Sequence, residues 1–343
     1  MNSETAPTKV DWRSLTAPFQ HADTRRSAWQ LVNSAVPYAV LWYLMVLSLS
    51  VSYWLTLALS VLAAGFMVRL FIIFHDCGHG SFFASRRAND AVGIFTGIVT
   101  FTAYYDWRHS HAVHHATAGD LDRRGMGDIF TMTVDEYLHA SWWKRLVYRV
   151  YRFPPVLFGI GPSFLFLIVQ RFPIRVAGRR ERNSVLWTDL ALLLIVVAAA
   201  LTIGWQAYLL IQIPIMVIGG AGGVWLFYIQ HQFEGVYWER HDKWDYVAAA
   251  LHGSSFYKLP RLLQWFTGNI GFHHIHHLSP RIPNYNLEPC YNSSPLFQAV
   301  KPVTVWSSLK SLKLRLWDEC AHCLVGFSVI KQRRAEQQES VVP

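Results

Sequence analysis

The chain has 343 residues, of which 52% are hydrophobic and only 15% charged, with 15 Trp, 15 Tyr and 21 Phe. Soluble chains carry about 25% charged residues, so this composition excludes an ordinary soluble enzyme and points to a membrane protein with tryptophans at the lipid–water interface. The net charge of +9 does not indicate a nucleic-acid partner, because the cations flank apolar stretches at Arg25–Arg26, Arg171–Arg182 and Lys301–Arg334, the membrane pattern.

Residues 1–27 are polar and lack the apolar core of a cleavable signal peptide; they are expected to form a cytosolic segment. Ala28–Val68 is a run of 41 residues without Asp, Glu, Lys or Arg. As helix this measures about 60 Å, two crossings of a roughly 30 Å hydrocarbon core. Ser48–Ser52 is the expected turn, giving spans at 28–50 and 53–74. The segment HDCGHGSFF follows at once. Ala91–Tyr105 is apolar but too short to span. WRHSHAVHH comes next, then Phe153–Gln170, which contains Pro154, Pro155 and Pro162 and has Arg149, Arg152, Arg171 and Arg175 around it. Positive flanks at both ends suit a segment lying in the interface rather than a crossing.

Leu190–Gln230 is again 41 uncharged residues, with Gly204-Trp-Gln206 as the second turn, giving spans at 186–204 and 207–230. Neither turn carries a charge, whereas arginines and lysines gather at the outer ends of both hairpins. By the positive-inside tendency those ends are cytoplasmic. The N-terminus, residues 75–184 and everything after 231 then share one side. The fold class expected is all-α integral membrane, with four transmembrane helices in two hairpins. Residues 28–300 form the membrane domain and 301–343 a basic cytosolic tail. In that tail Cys320 and Cys323 form a lone C-x-x-C, read as thiols on a helix rather than as a zinc site.

The chain has 16 histidines, and nine of them fall on the predicted cytoplasmic boundary in a repeated pattern. His75 and His79 are spaced i, i+4, which places both on one helix face. His111, His114 and His115 are spaced i, i+3, i+4, and His273, His276 and His277 repeat that spacing. His231 stands where the fourth span emerges. Crowded imidazoles repel one another when protonated, so neutral rings ligating metal are expected. Nine are too many for one ion and suit two. Imidazole serves iron, copper, zinc and nickel, and spacing does not choose among them.

The boxes HDCGHGSFF, WRHSHAVHHATAGDLDRRGMGD and GNIGFHHIHHLSPRIPNYNL resemble the membrane fatty acid desaturase family, in particular bacterial acyl-lipid desaturases related to the plant Δ12 and ω-3 enzymes. The resemblance runs from about residue 35 to 300. It implies a four-helix membrane bundle with a cytosolic helical cap. It implies two iron ions held by His75, His79, His111, His114, His115, His231, His273, His276 and His277, with O2 as co-substrate. His231 rests on a single residue in QHQFEG. The activity implied is insertion of a double bond into acyl chains of membrane lipids, in the bacterial inner membrane. The tails are short for a fused cytochrome b5-like domain, so a separate ferredoxin or similar electron donor is expected.

Around the ligands, Asp76 is expected to orient a ring through its second nitrogen, and Asp106, Asp120, Asp122 and Asp128 are further candidates. His109 and His274 neighbour the boxes outside the repeated spacing and are read as supporting residues. Asn269 in GNIG is a candidate to hold a metal-bound water. Gly219-Gly-Ala-Gly-Gly223 allows close helix packing or a gap for an acyl chain, packing being preferred. Histidine boxes alone leave open a related oxygenase, such as a lipid or carotenoid hydroxylase, a ketolase or an alkane monooxygenase. A metal transporter would place its ligands near the bilayer midplane, which this pattern does not.

Overall fold

A computed structural model describes residues 11–333; the expectations for residues 1–10 and 334–343, Arg334 included, lie outside the described residues. The first long helix, α1 (Thr24–Ser48), starts at Asp23, whose carboxylate accepts the backbone N–H groups of Arg25 and Arg26 at 2.8 and 3.2 Å. This N-cap satisfies donors that the first turn leaves free. Residues 49–52 turn the chain into α2 (Tyr53–His79), and the Ser48 and Thr56 hydroxyls meet across that turn at 2.7 Å. α2 continues to His79 where the apolar run predicted an end at 74. The bilayer limits the length of an apolar run, not of a helix. The stop is Gly80, left-handed at φ 70°, a conformation glycine adopts without steric cost. His75 and His79 therefore stand on the last turns of a spanning helix.

Helix α3 (Arg86–Val99) is capped by the Ser85 hydroxyl on the Ala88 N–H. It turns sharply into α4 (Tyr104–Thr117) through a 2.7 Å bond from the Thr102 N–H to the Gly97 carbonyl, with Phe101 at φ 58°. Further along, the helix Trp142–Tyr151 and the helical stretch Pro155–Arg171 meet at a bend of 59°. Prolines at 154 and 155 mark the break, since each lacks an N–H for the ladder.

α5 (Arg179–Thr202) and α6 (Trp205–His231) complete a set of four helices long and apolar enough to cross a membrane. Gly204, at φ 86°, separates them where the sequence predicts a turn. The outward residues of α5, among them Leu190, Leu193, Leu194 and Val197, are exposed and apolar, a surface that water does not favour. Of the glycine run in α6, Gly219 packs on α2 so closely that a Cβ would meet the Met67 methyl at 2.3 Å. Gly222 and Gly223 instead have open space beside them.

Beyond α6, the described short helices include α7 (Arg261–Phe266), α8 (His273–Leu278) and α9 (Asn284–Asn292). The fold is mostly helical rather than all-α. β1 (Phe256–Lys258) pairs in parallel with β2 (Pro302–Thr304), and β3 (Leu316–Asp318) pairs antiparallel with β4 (Cys323–Val325). Residues 302–325 are thereby tied to the body, with Trp317 stacked on Trp238 at 5.5 Å and Leu316 buried beside Tyr137 and Tyr148. The expectation of a helix at Cys320–Cys323 is wrong: Cys320 lies in the β3–β4 turn and Cys323 opens β4, and the pairing of Asp318 with Cys323 and the positive φ of His322 preclude a helix.

Candidate metal centre

Nine histidines from four elements meet where α2 and α6 end. α2 supplies His75 and His79, α4 supplies His111, His114 and His115, α6 supplies His231, and α8 supplies His273, His276 and His277. On α4 and α8 the i, i+3, i+4 spacing aims three rings from each helix toward the same interior.

Among the described residues eight of the nine form two groups, His75, His79, His111, His115 and His276, and His114, His231 and His277, with His273 beside the second. Within each group the candidate ligand nitrogens lie within 4.8 Å of one another. In the first, the Nε2 atoms run His79–His111–His115–His276 with 3.1 Å between neighbours. In the second, His114 Nε2 lies 3.1 Å from His231 Nε2, and His273 Nε2 approaches the same atom at 3.0 Å.

These contacts do not work as a hydrogen-bond network. A neutral ring nitrogen offers one N–H or one lone pair, yet the Nε2 of His111, of His115 and of His231 each face two others. They do work as a ligand set. Imidazole nitrogens bind first-row ions at about 2.1 Å, so two ligands at right angles stand about 3 Å apart, the spacing seen here. Ligation requires neutral rings. Burial first, and the neighbouring imidazoles second, hold His111, His115, His273, His276 and His277 well below the ordinary histidine range.

Comparison with known proteins gives the chemistry. Residues 51–303 match the fatty acid desaturase family. The chain is 51% identical over 315 residues to a fatty acid desaturase of Bacillus subtilis (strain 168), covering 92% of this chain and 90% of that protein. The chain belongs to the fatty acid desaturase family. More distant similarity, 26% identity in each case, links it to an sn-1 acyl-lipid omega-3 desaturase (ferredoxin) of Nostoc (79% of this chain, 75% of that protein). It links it equally to an sn-1 oleoyl-lipid 12-desaturase of Anabaena variabilis (78% and 76%). The family and its named members are oxidoreductases acting on fatty acyl chains, and the metal that such chemistry needs fits the two histidine groups.

The contacts around this desaturase's rings are specific. Asp76, 1% exposed, accepts from His75 Nδ1 at 3.0 Å through one oxygen, which turns the other ring nitrogen toward the group. Its second oxygen accepts both the backbone N–H of Asn284 at 2.7 Å and the Asn284 carboxamide at 2.9 Å. Asn284 in turn accepts from Gln30 at 3.0 Å. Asp128 holds His114 Nδ1 at 3.2 Å, and the Gly253 carbonyl faces His231 Nδ1 at 3.4 Å. Trp107, one turn before His111 on α4, stacks on its ring at 4.2 Å.

Other candidates serve other contacts. Asp106 accepts the Ile174 N–H at 3.1 Å, and burial pushes its carboxyl up. Asp120 holds Arg123 and His241, and Asp122 holds Arg240. His109 faces Glu181 at 3.6 Å and joins α4 to α5. His274 is fully buried but directed toward the Phe297 carbonyl at 3.1 Å, among the rings of Phe256 and Tyr291. Asn269 adopts a left-handed φ of 59° and lines a cavity with Arg69 and Gln264. Sequence reasoning missed Gln30, Trp107, Gly253 and Asn284. Trp107 had a signal in its i, i+4 spacing to His111; the other three act across long sequence separations that no local pattern reveals.

Proposed function

We propose that this desaturase inserts a double bond into acyl chains of membrane lipids at the cytoplasmic face of a bacterial inner membrane. Nine histidines, namely His75, His79, His111, His114, His115, His231, His273, His276 and His277, hold two iron ions. The observation that carries this reading is the pair of adjacent imidazole groups with nitrogens 3.0–3.1 Å apart. The named activities of the acyl-lipid relatives support the substrate class, and the ferredoxin named for the Nostoc enzyme supports a soluble one-electron donor.

The reaction balances as follows. A –CH2–CH2– unit gives up two hydrogens and becomes –CH=CH–, and O2 with two external electrons and two protons becomes two waters. The bound irons supply the activation of oxygen. The chain's own work is positional. His75 is fixed by Asp76, His114 by Asp128 and His111 by Trp107, so that the rings keep their aim through the cycle. Burial of the rings excludes bulk water. An acyl chain has no polar handle near the reacting carbons, so the protein selects among them by position, where about 1 Å matters.

The same cluster supports the topology. His79 ends α2 and His231 ends α6, and both lie in one site. The segment from 80 to 178 thus leaves and returns on the same face, which supports the bent stretch at 142–171 lying in the interface. Two hairpins then lie beneath a cytosolic cap. Expression with a ferredoxin system, followed by iron analysis of the purified protein, tests the proposal. Two irons per chain together with new unsaturated lipid are expected; a turnover-competent protein containing another metal would refute it.

A further inference from the structure

A cavity of about 690 Å³ opens between the start of α1, the middle of α2 and the segment 256–269. Four cations line it, Arg26, Arg69, Lys258 and Arg261, against one carboxylate, Glu288. None of the four is in an ion pair among the described residues. Arg69 is buried, with Nε 3.1 Å from the Ser34 hydroxyl and its guanidinium 3.9 Å above the Trp265 ring. Arg26 donates to the Tyr285 carbonyl at 2.8 Å, while Lys258 and Arg261 are exposed at the opening and have no hydrogen-bond or ion-pair partner among the described residues. Gln264 also lines the wall, its carboxamide packed close to Gly271.

The cavity's depth is set by α7. The helix that supplies Arg261 also exposes Leu262, Leu263 and Trp265, the composition of a segment at the lipid–water boundary. An anion seated there lies at head-group level, and forked arginines suit phosphate oxygens. The cavity also shares a wall with the metal centre. Phe272 lines it and is followed directly by His273, and Asn284 lines it while bonding Asp76.

We infer that this cavity seats the phosphate and glycerol of a phospholipid whose acyl chain enters the histidine site. The inference rests on the acyl-lipid reading above and adds the head-group chemistry. Free phosphate shares the anionic chemistry, but the apolar face of α7 favours a lipid source.

The test uses the full-length chain in detergent and calorimetric titration with three probes: dihexanoyl-phosphatidylglycerol, dihexanoylglycerol and inorganic phosphate. Phosphatidylglycerol should bind best. The Lys258→Gln/Arg261→Gln variant should weaken that binding roughly thirty-fold, about fivefold for each cation lost. An Arg86→Gln/Arg87→Gln control, with the same charge loss at the start of α3, should not. Equal binding of dihexanoylglycerol, equally tight binding of inorganic phosphate, no effect of the cavity variant, or equal loss in the control would each overturn the inference. Desaturation assayed on the same preparations separates the two claims. Lipid desaturated by a cavity variant whose binding is unchanged sinks the head-group site alone. Charge-dependent binding without any double bond sinks the acyl-lipid reading alone.

Discussion

His277 and His274 show how differently two neighbouring histidines are used. Both are buried, but His277 belongs to a nitrogen group whereas His274 faces a backbone carbonyl. His277→Ala, like the same change at His111, His115 or His273, is expected to abolish desaturation while the protein still inserts in the membrane. His274→Ala should keep measurable activity and lose roughly 1–3 kcal/mol of stability from the orphaned Phe297 carbonyl and the void left by the ring. An active His277→Ala enzyme, scored by lipid analysis, would contradict the site assignment. Asn284→Leu removes a donor from the Asp76 carboxylate. It should lower metal affinity or activity about 10–100-fold, visible as reduced metal content after dialysis. The histidine spacing announced the rings, because i, i+3, i+4 on a helix leaves few other purposes for three crowded imidazoles. It did not announce Asn284, whose partner Asp76 is 208 positions away in sequence.

The elements that carry these residues are held by tight turns rather than by hydrophobic burial alone. At Gly97 a Cβ would stand 2.6 Å from the Thr102 carbonyl oxygen, a backbone atom that cannot step aside. Gly97→Ala should therefore cost about 1–3 kcal/mol and displace α4 with its three ring nitrogens. Gly222→Ala meets open space and should leave thermal stability within about 0.5 kcal/mol. Comparable melting temperatures for the two variants would refute this account of the α3–α4 turn. The spans were legible because an uncharged run of 41 residues admits little else. Their ends were not, since α2 carries its helix on through His75-Asp-Cys-Gly-His79 until a left-handed glycine stops it. The two small sheets were missed because strands of three residues carry too little alternation to read.

At the scale of the whole molecule, charge and burial oppose each other at the site. His111, His115, His273, His276 and His277 are held well below the ordinary histidine value of about 6.5, first by burial and then by one another. Below that value the unfolded chain binds protons that the folded cluster refuses. The contribution of these rings is therefore fully present above about pH 6.5 and is lost as pH falls beneath it. Thermal unfolding of metal-depleted protein should show a falling midpoint from about pH 6.5 downward; a midpoint independent of pH between about 7 and 5 would contradict the burial argument.

The topology and the chemistry meet in one experiment. The protein and its His276→Ala variant are expressed with a ferredoxin system in a host lacking its own acyl-lipid desaturase, and membrane acyl chains are resolved by gas chromatography–mass spectrometry. The account predicts a new monounsaturated or further unsaturated acyl chain with the intact protein and none with the variant. A hydroxylated or keto product, or a double bond formed equally well by the variant, would contradict it.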